Sequence, residues 1–450
     1  MPSAKHVIAR FAFAAAVTAC GPLCSSAAFA EGILETTDAL DVAVAFPDEK
    51  LAEVATDRLS LYGGNDFAYD DNLYRVPSSL TYTELTKLPG IGPNPSREDY
   101  VDSIAAGADG EWLTGNRQSL DFDLRADDNN YLRNTDLDNV SSADHLAWNW
   151  GLGSLASGSI GADYNRILGG FVNTGDYSRD IVTRSDFFGA TRFQLGPHWG
   201  MFGGVLYQDL SLTAAKYNDS KSRAVDLGAD YQSGAATQIG FDYRYTDNSS
   251  PYSADLNDVT FDPDFREDRA RALFKYSLSD KTTIDASAGY VRREYPSTAI
   301  GSFSGEIWRV ALHWAPTLKT TVVAGTWRQL TADLTAQTDY YVSRGFTIAP
   351  AWAATEKITL TVTGTQEYLD YVGSNPVGVN PISSPLAQAR KDTVSTGSAN
   401  LAYTLTRALS FSVTAGYQRR NSNSEQFEYK DFRTDVNVIY KFFHYGDETL

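Results

Sequence analysis

The sequence predicts an all-β fold: a transmembrane, antiparallel, up-and-down β-barrel of about 18 strands, with 16 as the alternative count, short periplasmic turns and long extracellular loops. Three observations lead there. The first is alternation. Ala270, Ala272, Phe274, Tyr276 and Leu278 share one parity, against Arg269, Arg271 and Lys275; the return segment sets Ile284, Ala286, Ala288 and Tyr290 against Asp285, Ser287 and Arg293. Successive strand side chains point to opposite faces, so each segment has one greasy and one wet face. The second is where the charge sits. A soluble sandwich fills its interior with the greasy face, whereas here the apolar face ends in Tyr, Trp and Phe and the polar face is densely charged, as in a closed barrel with lipid outside and water inside. The third is the connections, which alternate between short and long.

Composition agrees. The chain has 450 residues with a formal net charge of −18, and its mean hydropathy is −0.31. Past the first thirty residues no run approaches the roughly 18 apolar residues of a spanning helix. A strand barrel escapes that requirement, since only alternate residues need be apolar. The acidic balance argues against nucleic acid, which needs an excess of Lys and Arg.

In chain order, Lys5, His6 and Arg10 followed by Phe11 to Val17 and by Ala28-Phe29-Ala30 read as a signal peptide over 1–30,. Val17-Thr18-Ala19-Cys20 resembles a lipobox, so lipidation at Cys20 competes with cleavage after Ala30. Both cysteines, Cys20 and Cys24, lie in this leader, so cleavage leaves no thiol chemistry,. Residues 31–57 read as a periplasmic N-terminal segment. The barrel is expected over 58–443, with 444–450 as a tail. Eighteen candidate strands, each near the 9–11 residues that cross a bilayer at a tilt, begin near Arg58, Glu98, Asn116, Asp144, Gly158, Thr183, His198, Ser222, Ala235, Arg266, Thr282, Ser302, Leu318, Asp339, Glu356, Asp392, Ala408 and Tyr429. Short turns such as Gly196-Pro197 and Ser279-Asp280-Lys281 alternate with long connections near 72–97, 169–182, 248–264 and 371–390. The Pro-rich stretches around Pro89 to Pro95 and Asn375 to Pro385 either fold inward or project outward.

Parity assigns Leu120, Phe122, Leu124, Trp308, Val310, Val413, Tyr417 and Val436 to the lipid face. The candidate lumen lining is Asp121, Asp123, Arg125, Asp226, Asp230, Asp242, Arg244, Arg269, Arg271, Lys275, Asp285, Arg309 and Arg433. No nucleophile elbow and no His-Glu-x-x-His pair occurs,. His145 and His313 read as wall or rim residues, and the oxygen-rich runs Asp70-Asp71-Asn72 and Asp127 to Asn130 as turn caps, since they lack EF-hand spacing,. No cofactor and no metal is expected, and no catalytic residue.

Two stretches carry a family likeness: Tyr69-Asp70-Asp71-Asn72-Leu73-Tyr74-Arg75-Val76-Pro77, and Asn116-Arg117-Gln118 through Leu120-Asp121-Phe122 to Trp148-Asn149-Trp150. With them the chain resembles the beta-barrel porin 2 family and its EpsL-type members, over about 58–443. The resemblance implies an outer-membrane channel taking part in exopolysaccharide secretion, with outer-membrane lipid, exopolysaccharide and periplasmic export proteins as partners. It implies no catalytic residues, and Tyr74 stands where the pattern expects Phe. A barrel of this strand count is too wide to fill with its own side chains and leaves an aqueous path. A general or solute-specific diffusion porin is therefore the alternative function, with an outer-membrane hydrolase a further one.

Overall fold

The computed structural model describes residues 57–445 apart from 116, 173–176, 235, 252–253, 257–258, 262–263, 297–301, 333–339 and 373–389. The expected signal peptide, the choice between Ala30 and Cys20, almost all of the 31–57 segment and the Asn375 to Pro385 stretch lie outside the described residues. The strands are β1 (Arg58–Asp70), β2 (Asp99–Gly115), β3 (Gln118–Tyr131), β4 (Asn139–Leu152), β5 (Ala156–Leu168), β6 (Ile181–Leu195), β7 (Trp199–Leu212), β8 (Ser220–Ser233), β9 (Thr237–Ser249), β10 (Ala254–Leu256), β11 (Val259–Phe261), β12 (Phe265–Ser279), β13 (Thr282–Glu294), β14 (Phe303–Thr317), β15 (Thr320–Ala332), β16 (Tyr340–Ala353), β17 (Ile358–Val372), β18 (Lys391–Thr404), β19 (Leu409–Ser422) and β20 (Tyr429–Tyr445). β10 and β11 form a small hairpin of their own. The remaining eighteen make one sheet of antiparallel neighbours, and β1 closes it by pairing with both β2 and β20.

Alternation survives intact. Leu227 is 62% exposed while its neighbour Asp226 is 0% exposed. In a closed sheet the face with almost no exposure is the enclosed one, so the charges point in and Leu, Phe, Tyr and Trp point out. The exterior carries Phe241, Val310, Phe346, Val413 and Val436, all exposed. Burying such a belt in hydrocarbon is what stabilises the barrel, and closure leaves no unpaired strand edge in lipid.

Three expectations are corrected. Strands of 13 residues (β1) to 17 residues (β2) exceed the 9–11 needed to cross, so the walls rise past the hydrocarbon as a collar on the long-loop side,. β4 begins at Asn139, not near Asp144, because Asn139 and Ser141 pair with Asn129 on the enclosed face and so extend the ladder with residues that read as loop. β20 continues through His444 to Tyr445, beyond the expected end at 443.

At the short-turn end, Gly196 adopts φ +81°, the left-handed geometry that glycine tolerates without strain,. Three successive turns are tied by lysines: Lys281 Nζ donates to the Pro316 carbonyl (3.3 Å), Lys319 Nζ to that of Ala354 (3.3 Å) and Lys357 Nζ to that of Leu405 (2.9 Å). The first long loop, 71–98, contains a one-turn helix α1 (Tyr82–Leu85) with a capping box between Thr81 and Glu84,. Its Leu73, Tyr74, Val76 and Leu85 are buried with Ala68 of β1, Val101 of β2, Tyr131 of β3 and Phe171. Ala68, Val101 and Tyr131 share the parity of the enclosed face, so the loop is clamped over the inner rim on that side of the mouth.

Candidate functional site

The enclosed wall is built by register. On β8, β9 and β12, Asp226 stands directly opposite Arg244, Arg244 opposite Arg269, and Asp242 opposite Arg271. Arg244 Nε reaches Asp226 Oδ2 at 2.5 Å and Arg271 Nε reaches Asp242 Oδ1 at 3.1 Å. Lys275 faces Asp285 across β12 and β13, and His313 Nε2 approaches Asp285 Oδ2 at 3.4 Å. Arg309, on β14, keeps an exposed side chain although it points inward. Exposure of a charged group on the enclosed face means that water reaches it inside the barrel.

Arg192 of β6 crosses β7 to Asp230 of β8, with Nη2 to Oδ1 at 2.7 Å, and Gln238 of β9 donates to the same carboxylate at 3.1 Å. The crossing passes over Gly200, where an added Cβ would lie 2.2 Å from the Arg192 guanidinium. Arg125 Nε holds Asp127 at 2.9 Å on β3. Asp121 accepts from Asn149 Nδ2 at 2.6 Å, and Asp123 stands beside it on the same face. Asp109 and Glu111 of β2 stand opposite Asp123 and Asp121. His145 Nδ1 and Asp163 Oδ1 are 2.5 Å apart one strand further on, a hydrogen bond in the wall.

The thirteen candidates share the strand parity of the buried charges, and they fall into separate groups. Asp121 and Asp123 sit in an acidic stretch on β2 and β3. Arg269, Arg271, Lys275 and Arg309 sit in a basic stretch on β12 to β14. Since β12 follows β9 in the circuit, β14 is the twelfth strand and β3 the third, nine strands apart in either direction round the eighteen. The two charged stretches therefore oppose each other across the barrel. Between them, β16 to β18 present Thr347, Thr365, Thr396 and Asn400, a hydrogen-bonding stretch of the wall. Residues not foreseen include Arg192, Asp109 and Glu111. At the outer end Asp392 accepts from Arg390 Nε (2.9 Å) and Arg420 Nε (2.7 Å). Strand parity marks Arg192; its partner two strands away has no sequence signature.

The Asp70 to Arg75 run does something different. Arg75 sits at φ 54° and its Nη1 bonds Asp70 (3.0 Å), Asp431 of β20 (3.0 Å) and the Asn72 carbonyl (2.7 Å). Asn72 Nδ2 donates to the carbonyls of Val76 and Lys430, both at 2.8 Å. The Asp71 N–H donates to the Phe432 carbonyl at 3.1 Å, and Arg433 faces Asp70 across the ladder. Leu73 and Tyr74 are buried, and the Tyr74 hydroxyl donates to Asn134 Oδ1 at 3.1 Å. Burial pushes that phenol above its ordinary range,. The motif locks the seam between first and last strands and anchors the first loop. Asp70, Asp71 and Asp431 bring carboxylate oxygens within 4.8 Å of one another, but the Arg75 guanidinium bonds two of the three and supplies the positive charge there.

Comparison with known proteins gives one family match: the family described as "Putative beta-barrel porin 2" matches residues 248–442. The seam motif and the second likeness stretch lie N-terminal to that match. No curated protein matches the chain. Among solved structures the chain is similar to Pseudomonas aeruginosa OccK2 (OpdF), with TM-score 0.45, 12% identity, 86% of this chain and 98% of that one covered. It is also similar to Pseudomonas aeruginosa OpdK with vanillate, with TM-score 0.46, 11% identity and coverage of 87% and 99%. A BenF-like porin from Pseudomonas fluorescens Pf-5 gives TM-score 0.44, 11% identity and coverage of 85% and 99%. A closed eighteen-strand barrel with an apolar exterior, its C-terminal part matching a porin family, is a protein of the bacterial outer membrane,.

Proposed function

We propose that the chain is a diffusion porin, a passive path for small hydrophilic solutes across the outer membrane. The carrying observation is the pair of opposed charged walls, acidic on β2 and β3 and basic on β12 to β14, with the inward Arg309 still hydrated. Charges kept apart across an interior need water between them, because apolar filling would strand them unpaired. On this reading Asp121, Asp123, Asp285, Arg269, Arg271, Lys275 and Arg309 meet passing solutes. Asp226, Asp230, Asp242, Arg244, Arg125 and Arg433 are wall braces of the same lining. The first loop, clamped over one side of the mouth, narrows the entrance and favours small solutes over a polymer.

Exopolysaccharide secretion, with export proteins as partners, is less well supported. The side chains from Asp70 to Arg75 that carried the likeness are engaged in the seam or in the packing of the first loop, leaving none of them to hold a sugar chain. Liposome swelling tests the proposal: vesicles containing the purified barrel should admit mono- and disaccharides at rates falling with solute size. Free passage of a long oligosaccharide, or no passage of any sugar, would overturn it.

A further inference from the structure

The outer face of the β17 to β20 arc carries a feature that transport does not use. Register places Gln366, Ser395, Arg419 and Lys430 on one rung across four adjacent strands, all on the membrane-facing side. Arg419 and Lys430 are directly opposite one another and both exposed. Like charges facing across a ladder destabilise it, and neither forms an ion pair among the described residues. Nearby acids are committed or apart: Asp370 pairs with Arg344 at 3.5 Å, Asp71 Oδ1 accepts the Phe432 N–H at 2.7 Å, and Glu425 and Glu428 lie in the turn above. The neighbouring connection 373–389 contains no ionisable side chain. On the same rim Arg266 is paired with Asp247 and Lys221 with Asp209.

The rung beneath runs Ile348, Gly364, Gly397, Tyr417, Phe432. A Cβ on Gly397 would meet nothing within 4 Å, and one on Gly364 only Ile348 at 4.0 Å. Internal packing therefore does not require these glycines. They leave a trough in the wall, flanked by the exposed side chains of Ile348 and Tyr417. A cationic, hydrogen-bonding rung above an aromatic pair and an apolar trough is complementary to a lipid with an anionic phosphorylated headgroup and an acyl chain.

We propose that this arc is a binding site for a phosphorylated lipid of the outer leaflet, with Arg419 and Lys430 on the phosphate and one acyl chain in the Gly364/Gly397 trough. Native mass spectrometry of the full barrel in detergent tests it, with bisphosphorylated lipid A and the same lipid stripped of phosphate as probes. The intact barrel should retain the phosphorylated lipid and release the stripped one. Arg419→Gln with Lys430→Gln should weaken binding by about tenfold or more, Arg419→Lys with Lys430→Arg should keep it, and Gly397→Leu should weaken it by filling the trough. Arg266→Gln, on the compensated side, should change nothing. Equal retention of both lipids, unaltered binding by the double glutamine variant, or indifference to Gly397→Leu would overturn the site. Conductance, set by the opposite face, should be unchanged in all these variants, so failure here is distinguishable from failure of the channel.

Discussion

Arg192 reaches Asp230 only because position 200 has no side chain. Replacing Gly200 by valine pushes the guanidinium off its partner and leaves a buried carboxylate unpaired. Urea unfolding in detergent should show a loss of about 3 kcal/mol, the usual cost of breaking a buried pair. In a background where Arg192 and Asp230 are both leucine, the same change should cost under about 1 kcal/mol, because the coupling has gone. Arg75 is the second such residue. It bridges β1 to β20, so Arg75→Gln leaves Asp70 and Asp431 facing each other without the guanidinium that bonds both. A loss of about 3 kcal/mol and earlier melting of the heat-modifiable gel band are expected; an unchanged melting point would remove the seam role.

Elements explain how much of this was legible. Strand number and most strand starts follow from parity and turn residues, because each strand must keep one face for lipid and one for water. The start of β4 does not show in the sequence because three of its first four residues, Asn139, Ser141 and Ser142, are polar; the Asn139 and Ser141 side chains accept from Asn129 Nδ2 on the neighbouring strand. The first loop was legible as long but not as clamped: Tyr74 reaches Asn134, and Tyr177 N–H reaches the Pro89 carbonyl (2.8 Å), contacts between distant segments that no local pattern encodes. The parity of each charged residue is legible from the sequence, whereas the division of these charges into opposed stretches depends on the order of strands round the barrel. The loop clamp has a pH signature. Glu98 is held below its ordinary pKa by Arg133 and then by the Tyr69 hydroxyl. A carboxylate with a lowered folded pKa contributes above its unfolded value and loses that contribution as pH falls through the folded one. Amide protection factors over residues 72–98, corrected for the intrinsic pH dependence of exchange, should therefore be higher at pH 6 than at pH 3, with no such change in Glu98→Gln. Shortening the loop by removing residues 78–95 should raise conductance; an equal or lower value would show that the loop does not narrow the path.

At the scale of the molecule, hydrocarbon outside and water inside are two consequences of one alternating pattern closed into a ring. The outer belt fixes the barrel in the bilayer. The inner walls hold charge of opposite sign on opposite sides, and on the proposed reading the field between them acts on a passing solute,. The account rests on that interior being a continuous aqueous path. Single-channel recording of the purified barrel in a planar bilayer tests it most directly. The account predicts discrete, stable conductance steps, and a reversal potential that moves toward cation selectivity when Arg269, Arg271 and Arg309 are changed to glutamine. A folded, inserted barrel that passes no current would contradict it.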